Sequence, residues 1–146
     1  MSEIFLSYAS QDRSRAATIA RELATRGWSV FWDRDMLPGV DWETELERHL
    51  NGARCVVVLW SRYANESKWV QAEVRMALDR GVLVPVLLDS TSRPLRLRDL
   101  QAAFLAGTNL TARGEEMEKL LTAISKLLGS SASASNASLP RATRSA

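Results

Sequence analysis

In 146 residues the sequence holds one cysteine, Cys55, and one histidine, His49. A single thiol cannot build a disulfide framework, a cysteine-based metal site needs several, and no other cluster of metal ligands is visible, so no metal is expected; no cofactor is expected either. The lone histidine has no readable Ser–His–Asp set around it and is read as a residue at the core boundary, not a catalytic base. There is no run of eighteen apolar residues, which excludes a membrane-spanning helix. Met1-Ser2-Glu3 passes directly into Ile4-Phe5-Leu6, without the basic segment and long apolar stretch of a secretory leader, so a cytoplasmic location is expected. An excess of one charge is also missing. The net charge is +2, and Arg141 and Arg144 in an acid-free tail account for it. The rest is neutral and offers no basic face for nucleic acid.

What is present is a regular alternation. The hydrophobic share is 46% and the charged share 25%, ordinary values for one soluble domain. Ile4-Phe5-Leu6 reads as a short buried strand. Ala16, Ile19, Ala20, Leu23 and Ala24 recur at helical spacing until Gly27. Trp28 to Trp32 is a second strand, and Pro38-Gly39 marks a loop. Trp42, Leu46, His49 and Leu50 share a helix face. The uninterrupted run Cys55 to Trp60 is the pattern of a central strand covered on both faces. A helix over 69–80 follows, then a strand over 82–88 in which Pro85 must sit where no ladder hydrogen bond is needed. Residues 95–104 suggest a short helix, with a weak edge strand near 104–110. Met117, Leu120, Leu121, Ile124 and Leu128 form the last amphipathic helix. Residues 129–146 are mostly Ser and Ala, with no apolar periodicity, and are expected to be a flexible tail or linker after a domain over 1–128.

Strand–helix alternation predicts an α/β fold of the flavodoxin-like kind: a three-layer sandwich with about five parallel strands and helices on both faces. Sites in such sheets lie at the carboxyl ends of the strands, near the switch point. The segments of interest are therefore 7–12, 33–41 and 61–69. A phospho-receiver needs an Asp at the end of the third strand, where this chain has Leu59-Trp60-Ser61. A flavodoxin needs a glycine- and hydroxyl-rich phosphate loop after the first strand, where it has Ser7-Tyr8-Ala9-Ser10-Gln11-Asp12.

Four segments do match a known pattern in order and spacing. Ile4-Phe5-Leu6-Ser7-Tyr8-Ala9 opens the chain. Gly27 to Asp33 leads to Leu37-Pro38-Gly39. Ala53 to Ser61 forms the third strand, and Ser67-Lys68-Trp69-Val70-Gln71-Ala72-Glu73 carries W-x-x-x-E at a helix start. Together they resemble the Toll/interleukin-1 receptor (TIR) domain, and specifically its bacterial NAD+-cleaving type, over about residues 1–128.

The resemblance implies cleavage of the nicotinamide–ribose bond of NAD+, with Glu73 as the catalytic carboxylate. Loss of nicotinamide passes through an oxocarbenium-like ribose, which a carboxylate stabilises. It implies substrate contacts from Trp69 and from Ser7, Tyr8, Ala9 and Ser10, with Asp33 and Arg34 in the loop called the BB loop. Asp33, Arg34, Leu37, Pro38 and Gly39 of that loop would also mediate self-association with other TIR domains, in an immune or antiphage signalling role. NAD+ would be a substrate, and the product ADP-ribose or a cyclic isomer. Plainer readings stand beside these. Trp69 would anchor its helix to the sheet, Glu73 would favour the positive helix N-terminus, Asp12 would cap the first helix, and Arg34 would be a solvated loop charge. The rival functions are a non-enzymatic TIR–TIR adaptor and a nucleotide sensor without turnover.

Overall fold

The computed structural model describes residues 3–32, 42–105 and 114–132. Five parallel strands form one sheet: β1 (Ile4–Ser7), β2 (Val30–Phe31), β3 (Cys55–Trp60), β4 (Leu83–Leu87) and β5 (Ala103–Phe104). Their order is β2-β1-β3-β4-β5. The chain leaves β1 toward one edge and returns to the other side of β1 for β3. The switch point therefore lies at the carboxyl ends of β1 and β3, which pair from Ile4–Cys55 to Ser7–Val58. The helices are α1 (Arg13–Ala24), α2 (Trp42–Gly52), α3 (Arg62–Asn65), α4 (Lys68–Arg80), α5 (Leu95–Arg98) and α6 (Glu115–Ala132).

Strand side chains alternate between faces, and this alternation divides the core in two. Ile4, Leu6, Cys55, Val57 and Leu59 pack with Ile19, Leu23, Met117, Leu120 and Ile124 under α1 and α6. Phe5, Val56, Val58 and Trp60 pack with Leu46, Leu50, Val70, Val74 and Ala77 under α2 and α4. Every residue of β3 is buried, which is why its sequence carries no polar alternation. Burying each such Val or Leu side chain is worth roughly 1.5–3 kcal/mol against leaving it in water.

Pro85 sits inside β4, opposite Val58. Val82 accepts from the Val56 N–H, and the Leu88 N–H donates to Trp60, so even-numbered backbone groups of β4 face β3. The Leu87 carbonyl accepts from Leu105, so odd-numbered groups face β5. Pairing with β5 starts at Val86–Ala103. Proline's missing N–H thus falls short of the neighbouring strand, as the sequence requires.

Two boundaries differ from the sequence reading. The edge strand is Ala103–Phe104, one residue earlier than expected, and residues 106–110 lie outside the described residues. Helix α6 continues to Ala132, four residues into the segment assigned to the tail. The extension runs through Gly129-Ser130-Ser131-Ala132; Gly129 costs about 1 kcal/mol against Ala, but continuing a helix already anchored by Ile124 and Leu128 needs no new nucleation. Residues 133–146 lie outside the described residues. Among the described residues, no helix is long and apolar enough to cross a membrane.

Helix α4, which carries the W-x-x-x-E segment, has a cap at each end. The Ser67 hydroxyl accepts from the Val70 N–H at 3.2 Å, and Gly81 closes the helix in the left-handed region at φ 72°. A Cβ at Gly81 would meet no neighbour, so the cost of Gly81→Ala is that of the backbone conformation alone. We expect a loss of about 1 kcal/mol, measured as a lower urea midpoint with an unchanged slope.

Candidate functional site

Alternation along β1 sends Phe5 and Ser7 to the face covered by α2 and α4. Ser7 ends the strand fully buried, and Glu73, only 3% exposed, projects from the second turn of α4 toward it. The Ser7 hydroxyl donates to Glu73 Oε1 at 2.6 Å, across 66 residues of sequence. A buried carboxylate is costly without donors. The bond satisfies one of its oxygens and lies at the switch point. Glu73 is therefore held by the end of the sheet as well as by its own helix.

One turn earlier on α4, Trp69 is 41% exposed. This overturns the reading of Trp69 as a sheet anchor. Leu46, Glu47 and Leu50 from α2 face Trp69, Glu73 and Met76 from α4 across a cleft of about 260 Å³. The cleft has apolar walls, one half-exposed indole and two carboxylates. Sequence reasoning named Trp69 and Glu73 but missed Glu47. Glu47 shares a face of α2 with Thr44, which also lines the cleft, but that face becomes part of a site only because α2 lies against α4, so no signal along the chain would have found it.

The other expected site residues are placed as follows. Tyr8 and Ala9 are each 5% exposed, and the Tyr8 hydroxyl donates to the Trp32 carbonyl at 2.7 Å, tying the loop after β1 to the end of β2. Ser10 is exposed and opens a 3-10 turn, Ser10–Asp12. Asp33, Arg34, Leu37, Pro38 and Gly39 lie outside the described residues. His49 is half-buried and stacks on Phe31, with centroids 4.0 Å apart and planes 9° apart. Burial and the adjacent Arg48 hold its pKa below the ordinary value. Burial pushes the Cys55 thiol up to about 12, so it is unreactive. Among the described residues there is no cluster of three metal-ligating side chains.

Asp12 corrects one expectation. It precedes α1 but makes no capping bond with its side chain. It is 4% exposed and accepts instead from the Ser61 hydroxyl at 2.5 Å. The same hydroxyl accepts from the Ala64 N–H and caps α3. The tertiary partner wins because Asp12 is buried and Ser61 presents its donor at the end of β3. Beside it, Asp89 accepts from the backbone N–H groups of Arg62 and Thr91. Burial pushes Asp89 up, but these hydrogen bonds outweigh it and set its pKa below the usual value. Sequence reasoning missed this second polar cluster, since its members come from three separate loops.

A flavodoxin-like sheet with a buried carboxylate at its switch point defines the class. The family follows from comparison: residues 4–121 match the model of the TIR domain family, and the chain belongs to that family. The TIR domain of the Toll-related receptor TRR-2 from Hydra magnipapillata superposes with a TM-score of 0.71 at 18% identity, over 85% of this chain and 98% of that one. A TIR-STING receptor from C. gigas, solved in complex with 2',3'-cGAMP, gives 0.69 at 28% identity over 88% of this chain, which spans 40% of that receptor. The TIR domains of the activated Roq1 resistosome, which recognizes the pathogen effector XopQ, give 0.58 at 18% identity, over 89% of this chain and 99% of that one. At 18% the likeness is one of fold. No curated protein matches the chain.

Asp12 has a testable titration. Burial raises its pKa above 3.8, against the opposing bond from Ser61. Its contribution to stability is therefore complete below the unfolded value and lost as pH rises through the folded one. Asp12→Asn cannot titrate. Its stability relative to wild type should climb as pH is raised from about 4 toward neutrality, read from urea midpoints at each pH. A difference that stays flat with pH would contradict the raised value.

Proposed function

We propose that the protein cleaves the nicotinamide–ribose bond of NAD+, with Glu73 as the catalytic carboxylate. The observation that carries this reading is the pairing of a buried, oriented Glu73 with a half-exposed Trp69 in one cleft at the switch point. Membership of the TIR family, which includes NAD+-cleaving members, supports it. The substrate's nicotinamide ring is cationic. An indole face attracts cations, and Glu47 and Glu73 add negative charge at the same place.

In the reaction the C1′–N bond breaks and both electrons leave with nicotinamide, which departs neutral. The ribose C1′ becomes oxocarbenium-like, and the Glu73 carboxylate stabilises the charge that develops there. Water then adds to C1′ and loses a proton, giving ADP-ribose. Capture by a nucleophile within the substrate gives a cyclic isomer. Trp69 packs against the nicotinamide, and the Ser7–Ser10 segment lies along its ribose. Since Ser7, Tyr8 and Ala9 are buried, Ser10 and the backbone are the groups that make contact. Asp33 and Arg34 belong to the proposed substrate site through the family pattern. Arg34 suits the pyrophosphate, because a guanidinium matches phosphate oxygens.

The test is nicotinamide release from NAD+ by concentrated protein, wild type beside Glu73→Gln. Wild type should release nicotinamide, and the variant should lose about a hundredfold or more in rate with its fold intact. Failure of wild type to release nicotinamide at any concentration would sink the enzymatic reading. If Glu73→Gln also kept its binding to other TIR domains, the adaptor reading would take its place.

Assembly enters the same proposal. In the family pattern the loop containing Leu37-Pro38-Gly39 packs on a neighbouring protomer. Specific activity should then rise with protein concentration, and Pro38→Ala or Gly39→Ala should flatten that rise while the circular dichroism of the dilute protein stays unchanged. Concentration-independent activity in wild type would remove self-association from the mechanism.

A further inference from the structure

We infer that Ser7 is a positioning residue for Glu73 and not a substrate contact: its hydroxyl fixes the carboxylate's rotamer and favours its ionised form over the neutral one. The inference rests on the proposed cleavage for its consequence in turnover, but its physical content is independent of that reading.

The geometry leaves the Ser7 hydroxyl little else to do. Ser7 is fully buried at the last position of β1, so its side chain has no surface to offer a ligand. Its Oγ lies 2.6 Å from Glu73 Oε1, and a carboxylate of this kind accepts. The hydroxyl hydrogen is thus committed to Glu73. Ser7 is registered opposite Val58 of the central strand β3, so the donor stands on backbone held in the sheet. Glu73, by contrast, has rotatable bonds between its carboxylate and α4. Pinning one oxygen from a rigid strand leaves the carboxylate plane little freedom, as a stabiliser of a short-lived cation requires. A donor that bonds the ionised form also favours ionisation, opposing the burial that disfavours it.

Other features of the site support this division of labour. Trp69 and Glu47 are exposed in the cleft and reach a ligand directly. Ser10, three residues beyond Ser7, is exposed and takes any hydroxyl contact to the ribose. The residue type at position 7 is explained by its partner 66 residues away, not by the ligand.

The experiment compares wild type, Ser7→Ala and Ser7→Thr in two measurements. The first is the titration of the Glu73 side-chain carboxyl by carbon-detected NMR, which needs no turnover. Ser7→Ala should raise the Glu73 pKa by about one unit, and Ser7→Thr, which keeps the hydroxyl, should hold it near the wild-type value. The second is NAD+ cleavage against pH. In Ser7→Ala, kcat should fall about tenfold with KM nearly unchanged, and the acid limb should move to higher pH by the same amount as the titration. A Glu73 pKa that is the same in wild type and Ser7→Ala overturns the inference, as does a loss confined to KM. If wild type cleaves nothing, the proposed function fails, and the titration alone still decides the role of Ser7. Should Ser7→Thr fold poorly because of its extra methyl, the Ser7→Ala titration carries the test.

Discussion

A carboxylate withdrawn from water needs a donor, and at Glu73 that donor is the hydroxyl of the last residue in β1. The bond joins the carboxyl end of β1 to the helix that carries the W-x-x-x-E segment. Together with the burial of Val70, Val74 and Ala77 it holds the rotation of α4 about its axis, because turning the helix would draw the carboxylate away from Ser7. With that rotation set, Trp69 must come out beside the cleft, four residues and one turn earlier. Val70, Val74 and Ala77 then face the core. The site and the packing of the helix are consequences of one geometry.

The same logic explains the second polar cluster. Ser61 directly follows β3 as Ser7 ends β1, and its hydroxyl also donates to a buried acid, Asp12. In both cases a serine at the carboxyl end of an inner strand holds a carboxylate brought in from elsewhere. The two differ in what surrounds them. Glu73 opens on a cleft with apolar walls and an indole. Asp12 lies among Arg15, Arg62, Asp89 and the loops after β3 and β4, where opposite charges balance one another. A cationic ring has more to gain from the first than from the second, since the second supplies its own cations. This contrast, more than the burial of either acid, is why the proposed cleavage is assigned to the α2–α4 cleft.

Membership of the TIR family accounts for the fold, and within it three features concern this chain. Ala9 and Ser10 follow Tyr8, so the chain carries no basic side chain directly after it. Tyr8 is turned inward and donates its hydroxyl to the Trp32 carbonyl, which ties the loop after β1 to the residue after β2. Cys55, at the base of β3, is too buried to ionise near neutral pH. Cys55 therefore offers no thiolate for covalent chemistry.

Much of this was legible in the residues themselves. The apolar run of β3, the helical spacing in α1, α4 and α6, and Pro85 in β4 follow from periodicity and backbone chemistry, which act over a few residues and need no partner. Those patterns defined a parallel α/β sandwich, and the order of four motifs singled out Trp69 and Glu73. What sequence could not decide depends on contacts across tens of residues. The strand ends alternate in which face they present, so Ser7 meets Glu73 and not α1, and this becomes definite only when β1 is registered against β3. Asp12 looked like a helix cap because capping is local. Burial gave it a tertiary partner in Ser61 that the neighbouring residues could not reveal. Glu47 entered the cleft because α2 lies against α4 across the same sheet face, a juxtaposition that no spacing along the chain encodes.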